Sequence, residues 1–124
     1  MTKLCLLIAL AGGFGAVCRY VISGLINKKH SPYGTFLVNI LGCFIFGLIF
    51  SMSNIGTLSE QEKTIILSGF CGAFTTFSTF ISEFGSLASG NKLEMVKSII
   101  YLFLSLFVGL CFVLLGFNFF SFFS

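Results

Sequence analysis

The sequence has very little charge. Only 9% of its 124 residues are Asp, Glu, Lys or Arg; Asp and Trp are absent, and proline occurs once, at Pro32. A soluble globular domain carries about a quarter charged residues, so this chain lacks the means to cover a water-facing surface. Seven Lys and Arg and a formal net charge of +3 also fall short of a nucleic-acid-binding surface. Paired cysteines are missing. Cys5, Cys18, Cys43, Cys71 and Cys111 are odd in number and form no C-x-x-C, which excludes a disulfide framework and a tetrahedral zinc site. They read as small hydrophobes inside helices. The alternating segments of a membrane β-barrel are absent too. No cleavable signal peptide is expected, because the apolar run from Leu4 continues through Gly12 to Ile22 without a small-x-small site opening onto a polar chain. Nothing in the pattern points to an enzyme.

What is present is 56% hydrophobic residues, a mean hydropathy of +1.06 and 18 Phe. This is an integral membrane protein, all-α, with residues 1–124 forming a single membrane domain. A spanning helix needs about 20 mostly apolar residues. The gaps between charges predict four spans, at about 4–26, 33–53, 63–89 and 95–118. Pro32 suits the entry to the second span. Ser59 and Glu62 have capping-box spacing for the third, and Gly90-Asn91 is a closing signal for it. Phe119, Phe120, Phe122 and Phe123 are expected in lipid contact at the interface. Lys3 and Lys63 fall on one side of the membrane; Lys28, Lys29, Lys92 and Lys97 fall on the other, with Arg19 leaning that way. The positive-inside rule then favours both termini outside, with dual insertion still open.

Polar residues inside spans point to function. Arg19 lies about 10 Å inside its helix end at the usual rise per residue. It either snorkels to the interface or holds positive potential at an aqueous vestibule. Thr35 and Asn39 share a helix face. The Asn39 carboxamide can donate to an anion or pair with a neighbouring helix. The third span reads Gly69-Phe70-Cys71-Gly72-Ala73-Phe74-Thr75-Thr76-Phe77-Ser78-Thr79-Phe80-Ile81-Ser82-Glu83. Its glycines and Thr pair are weak helix residues. They fit a break whose freed carbonyls would hold a cation, although no proline forces one. Phe77 and Phe80 share a face, and positive ring edges there could stabilise an anion without a deep cationic trap. Tyr101 and Ser105 form a hydroxyl row, unless Ser105 bonds its own helix. The small-residue faces Gly12/Ala16 and Gly69/Ala73 suit close helix approach and an isologous two-fold contact.

On these motifs the chain resembles the Fluc/CrcB family of fluoride ion channels. The most specific piece is Gly72-Ala73-Phe74-Thr75-Thr76-Phe77-Ser78-Thr79-Phe80 followed by Glu83. Gly12-Gly13-Phe14-Gly15-Ala16-Val17-Cys18-Arg19-Tyr20 and Gly34-Thr35-Phe36-Leu37-Val38-Asn39 support it. The resemblance implies a passive channel in a prokaryotic plasma membrane that exports cytoplasmic fluoride and relieves its toxicity. It implies an antiparallel two-fold dimer with two pores and broken third helices crossing at the centre. A structural sodium ion would be held there by the backbone carbonyls of Gly72 and Thr75. The fluoride path would map to Asn39, Phe77, Phe80, Thr35, Ser78, Thr79, Tyr101 and Ser105, with Arg19 and Glu83 at the vestibule. Two positions depart from the pattern: its usual Gly-Gly is Gly72-Ala73, and a third track hydroxyl is Gly109. If insertion has one fixed direction, the partner would be an oppositely oriented paralogue rather than a second copy. One rival is a proton-coupled exporter of organic cations, for which Glu83 is the only acid available. Another is a membrane assembly subunit that transports nothing, which leaves the polar groups without a purpose.

Overall fold

The computed structural model describes residues 2–27 and 33–122. Lys28, Lys29, the expected helix entry at Pro32, and Phe123 lie outside the described residues. Hydrocarbon offers the backbone no hydrogen bonds, so apolar runs of this length close their amides within helices. Among the described residues, four stretches are long and apolar enough to span a membrane: Thr2–Ile26, Tyr33–Asn54, Glu60–Ala88 and Lys92–Asn118. The first, second and fourth are the continuous helices α1 (Thr2–Ile26), α2 (Tyr33–Asn54) and α6 (Lys92–Asn118). The third is assembled from α3 (Glu60–Thr64), a π-helical stretch (Ile65–Cys71), α4 (Gly72–Phe74) and α5 (Phe77–Ala88). A 3₁₀ turn (Phe119–Phe122) follows α6.

Two ends differ from the charge-gap boundaries by three residues, and capping explains both. The third span begins at Glu60 because Ser59 and Glu62 form the expected capping box, with Ser59 N–H donating to Glu62 Oε2 at 2.9 Å. Asn91 does not close the third span, whose last helix ends at Ala88. It opens the fourth: its Oδ1 accepts from Glu94 N–H at 3.0 Å, so that helix begins at Lys92.

Small residues set the packing. α2 lies along α6 through Gly47 and Gly116. A Cβ on Gly47 would stand 2.8 Å from Phe117 N, and one on Gly116 would stand 2.9 Å from Leu48 N. α1 packs on the π-helical stretch, where a Cβ on Gly69 would meet the Ile8 carbonyl oxygen at 2.7 Å. The Gly12 and Gly69/Ala73 faces therefore do not wait for a second subunit. A Cβ on Gly12 would lie 3.6 Å from Gly69 O and 3.8 Å from Ala73 Cβ of the same chain. Without a hydrophobic drive between helices in lipid, such close approach supplies the cohesion. The large apolar residues of α1 and α6 mostly face outward, Phe14, Phe103 and Phe107 among them.

Candidate functional site

The site begins where the third span leaves helical geometry. Thr75 (φ −79°, ψ 158°) and Thr76 (φ −145°, ψ 123°) are extended. Thr75 N–H still reaches the Cys71 carbonyl at 3.0 Å, and its hydroxyl donates to the same oxygen at 2.9 Å. Beyond it the helical ladder stops. Backbone groups freed at membrane depth each cost several kcal/mol unless another partner is found.

Asn39 on α2 is that partner. Its Nδ2 donates to the Thr76 carbonyl at 3.1 Å and its Oδ1 accepts from Thr76 N–H at 2.8 Å. One carboxamide thus satisfies both backbone groups of one extended residue. A carboxamide nitrogen carries two N–H donors, so one remains after this pairing. Thr76 in turn caps α5: its Oγ1 accepts from Thr79 N–H at 3.3 Å, and its hydroxyl donates to Thr79 Oγ1 at 3.0 Å. Sequence reasoning used Thr76 only as a mark of the break. Its role as a cap was legible in the Thr immediately before the Phe77 helix.

These substitutions free particular acceptors. In an unbroken helix Thr76 N–H would bond the Gly72 carbonyl, and Thr79 N–H the Thr75 carbonyl. The first donor is taken by Asn39 and the second by Thr76 Oγ1. The Gly72 and Thr75 carbonyls therefore lose their ladder donors, and Gly72 lies at the exposed edge of the break.

A cavity of about 450 Å³ opens beside the break, lined by Asn39, Thr75, Thr76, Phe77, Phe80 and Ser105 among others. Phe80 is buried, with its ring centroid 5.1 Å from that of Tyr101. Phe77, with its centroid 6.3 Å from Phe80, is 72% exposed. Ser105 Oγ is buried and makes no hydrogen bond of ordinary length among the described residues, and it does not bond a carbonyl of its own helix; the Tyr101 hydroxyl one turn back is close enough to interact with it only weakly. Gly109, one turn on, is packed against Cys43 and Ile40, so the missing hydroxyl there leaves room for α2.

Thr35 and Tyr101 belong to a second group. The fully buried Thr35 donates to Glu83 Oε1 at 2.6 Å, and the Tyr101 hydroxyl donates to Glu83 Oε2 at 3.4 Å. Three helices thereby meet at one carboxylate. Arg19 lines a separate cavity of about 300 Å³ with Asn27, Thr76 and Thr79. Thr76 thus borders the cavities on both sides. Ser78 and Thr79 lie exposed on α5. Asn27, which sequence reasoning passed over, accepts from Gly34 N–H at 2.8 Å and ties the end of α1 to the start of α2.

These features define a class: a multi-pass membrane protein of four spanning helices, the third interrupted beside a cavity lined by aromatic rings, hydroxyls and one carboxamide. Within that class the chain belongs to the CrcB family. The family model described as "CrcB-like protein, Camphor Resistance (CrcB)" matches residues 6–117. Among similar proteins, one from Methanococcus maripaludis is 44% identical over 112 residues, covering 90% of each chain. One from Methanococcus aeolicus is 41% identical over 112 residues, covering 90% of this chain and 89% of its own. A third, from Azobacteroides pseudotrichonymphae, is 38% identical over 128 residues, 99% of this chain and 100% of its own. All three are described as "Fluoride-specific ion channel FluC".

Proposed function

We propose that this protein is a passive, fluoride-selective channel that exports cytoplasmic fluoride across a prokaryotic plasma membrane as an antiparallel two-fold dimer. The single observation that carries the reading is the orphaned Ser105 hydroxyl, which lies with Asn39 and the Phe77 and Phe80 rings around one cavity. A buried hydroxyl without a partner costs about 1–3 kcal/mol, and an anion that accepts its proton relieves that cost. Fluoride is small and strongly hydrated, so it crosses only where donors replace its water. Ser105, the second Asn39 N–H and the positive ring edges are such donors, and none carries a full charge that would hold the ion. The first-turn amides of α5, at the positive end of that helix, add to the same potential.

Arg19, beside Thr76 and Thr79, fits the mouth of the path, where it would raise the local anion concentration. Thr35, Tyr101 and Glu83 fit its far side, with Glu83 anchoring the two hydroxyls and so fixing the ring of Tyr101 against Phe80. Ser78 and Thr79 fit the stretch that a second copy would complete. The relatives named as fluoride-specific channels support this reading over 90% or more of the chain.

The Gly72 and Thr75 carbonyls suit a structural sodium ion. Unwound backbone oxygens are the usual ligands for sodium at interrupted membrane helices. One chain offers two such oxygens, and a two-fold axis through the break would offer four. Bound there, the ion would neutralise carbonyls that have lost their ladder donors. The exposed Phe77 and the exposed polar edge of α5 fit burial by that same partner, either a second copy or an oppositely oriented paralogue.

The proton-coupled exporter finds less support. It needs an acid free to trade a proton for substrate, whereas Glu83 borders no part of the larger cavity and is held by Thr35 and Tyr101. The deciding test is fluoride efflux from liposomes containing the purified protein. Passive efflux down the fluoride gradient is expected, with chloride excluded. Chloride efflux without fluoride efflux, or a strict need for a proton gradient, would refute the channel. Phe80→Ile is expected to cut the flux strongly while leaving the oligomer intact.

A further inference from the structure

Two cysteines share a third cavity next to the break. Cys43 stands on α2 one turn after Asn39, and Cys71 is the last residue of the π-helical stretch. Both are free thiols. Both line a cavity of about 270 Å³, together with Gly42, Leu67, Gly72 and Thr75. Gly42 and Gly72 project no side chain into this space, so the thiols are its softest groups.

We propose that Cys43 and Cys71 form a two-coordinate thiolate site for a soft divalent cation of the mercuric class, and that filling it blocks conduction. Thiolates are soft ligands that select soft cations, whereas sodium belongs with carbonyl oxygens. Membrane depth penalises net charge, and this stoichiometry leaves none: Hg²⁺ with two R–SH gives R–S–Hg–S–R and two H⁺. Two S–H bonds break, two Hg–S bonds form, both protons leave to water, and no electron changes hands. A monovalent soft cation on two thiolates would leave a negative charge behind and is disfavoured.

The position explains the block. A mercury bridge would tie α2 to the end of the π-helical stretch, one helical turn before the break. The Cys71 carbonyl accepts both Thr75 bonds, and Thr75 and Cys43 also border the larger cavity. The blocking half rests on the fluoride reading above; the binding half does not.

The test uses the full chain with Cys5, Cys18 and Cys111 replaced by Ser. One equivalent of mercuric chloride is expected to give one mercury per chain by intact mass, a sulfur-to-mercury ultraviolet absorbance and release of two protons. Fluoride efflux from liposomes is then expected to fall and to recover with excess dithiothreitol. Adding C43S or C71S is expected to weaken mercury sensitivity by more than about tenfold. In the unsubstituted chain, mercury is expected to protect both cysteines from a small maleimide, as mapped by peptide mass, which reads the site without any variant. Two mercury per chain, or uptake unchanged by C71S, would overturn the site. One mercury with undiminished efflux would overturn the block. Absent efflux before mercury is added would count against the fluoride reading, while the mass measurement still decides the site.

Discussion

Asn39 and Ser105 line the same cavity and have opposite energetic roles. Asn39 holds both backbone groups of Thr76, so its loss strands a buried donor and a buried acceptor. Asn39→Leu is expected to cost about 2–6 kcal/mol of stability, because each of the two unsatisfied groups costs about 1–3 kcal/mol. The thermal melt of purified protein in detergent should fall, and fluoride efflux should be lost with it. Ser105 makes no hydrogen bond of ordinary length among the described residues. Ser105→Ala is therefore expected to leave the melt unchanged or raise it by up to about 1 kcal/mol, while efflux drops. A clear fall in the melting temperature of the Ser105→Ala protein would mean that the hydroxyl serves the fold and not an ion. Asparagine chemistry made Asn39 legible as a candidate in the sequence. Its partner Thr76 was not legible, because the two lie 37 residues apart on different helices.

At the scale of elements, the interrupted third span depends on a cap and on close helix approach. Thr76→Val keeps the side-chain shape and removes the hydroxyl that caps α5. A lost cap costs about 1 kcal/mol, and fraying at Phe77 and Ser78 should reduce efflux more than it lowers the melt. Gly116→Val probes the α2–α6 contact instead. Its Cβ would lie 2.9 Å from Leu48 N, so the helices must part, at about 1–3 kcal/mol for overpacking. Here the melt should fall at least as far as efflux does. Weak helix residues at Gly72, Thr75 and Thr76 made a break conceivable from the sequence. With no proline to force it, the local signal could not outweigh an ordinary tight helix, and the compensating partner sat on α2.

On the scale of the whole molecule, α5 is unfinished in a single chain. Phe77 is 72% exposed, and Ser78, Thr79 and Ser82 are exposed beside it. Polar side chains do not face hydrocarbon without cost, so the proposed two-fold partner has a physical reason as well as a functional one. If that partner is a second copy, the chain expressed alone is expected to carry robust fluoride efflux. Efflux that appears only on co-expression with an oppositely biased paralogue would establish the heterodimer instead. Replacing sodium by a large organic cation is expected to lower the dimer fraction of detergent-solubilised protein in size-exclusion chromatography. A dimer fraction indifferent to sodium would remove the role proposed for the Gly72 and Thr75 carbonyls.

The shortage of charge with which the sequence begins determined the membrane class, and the charge-free runs located four spanning helices, because hydrocarbon acts on composition and on length. The Ser59 capping box was equally local and equally legible. Partnerships between helices were decided only by the tertiary structure. It turned Gly12 and Gly69 toward each other within one chain and moved Asn91 from closing one helix to opening the next. It gathered Thr35 and Tyr101 onto Glu83, and it gave the Thr76 backbone to Asn39. Each of these is a choice among partners of similar chemistry, and that choice depends on which helix faces meet once the backbone has folded.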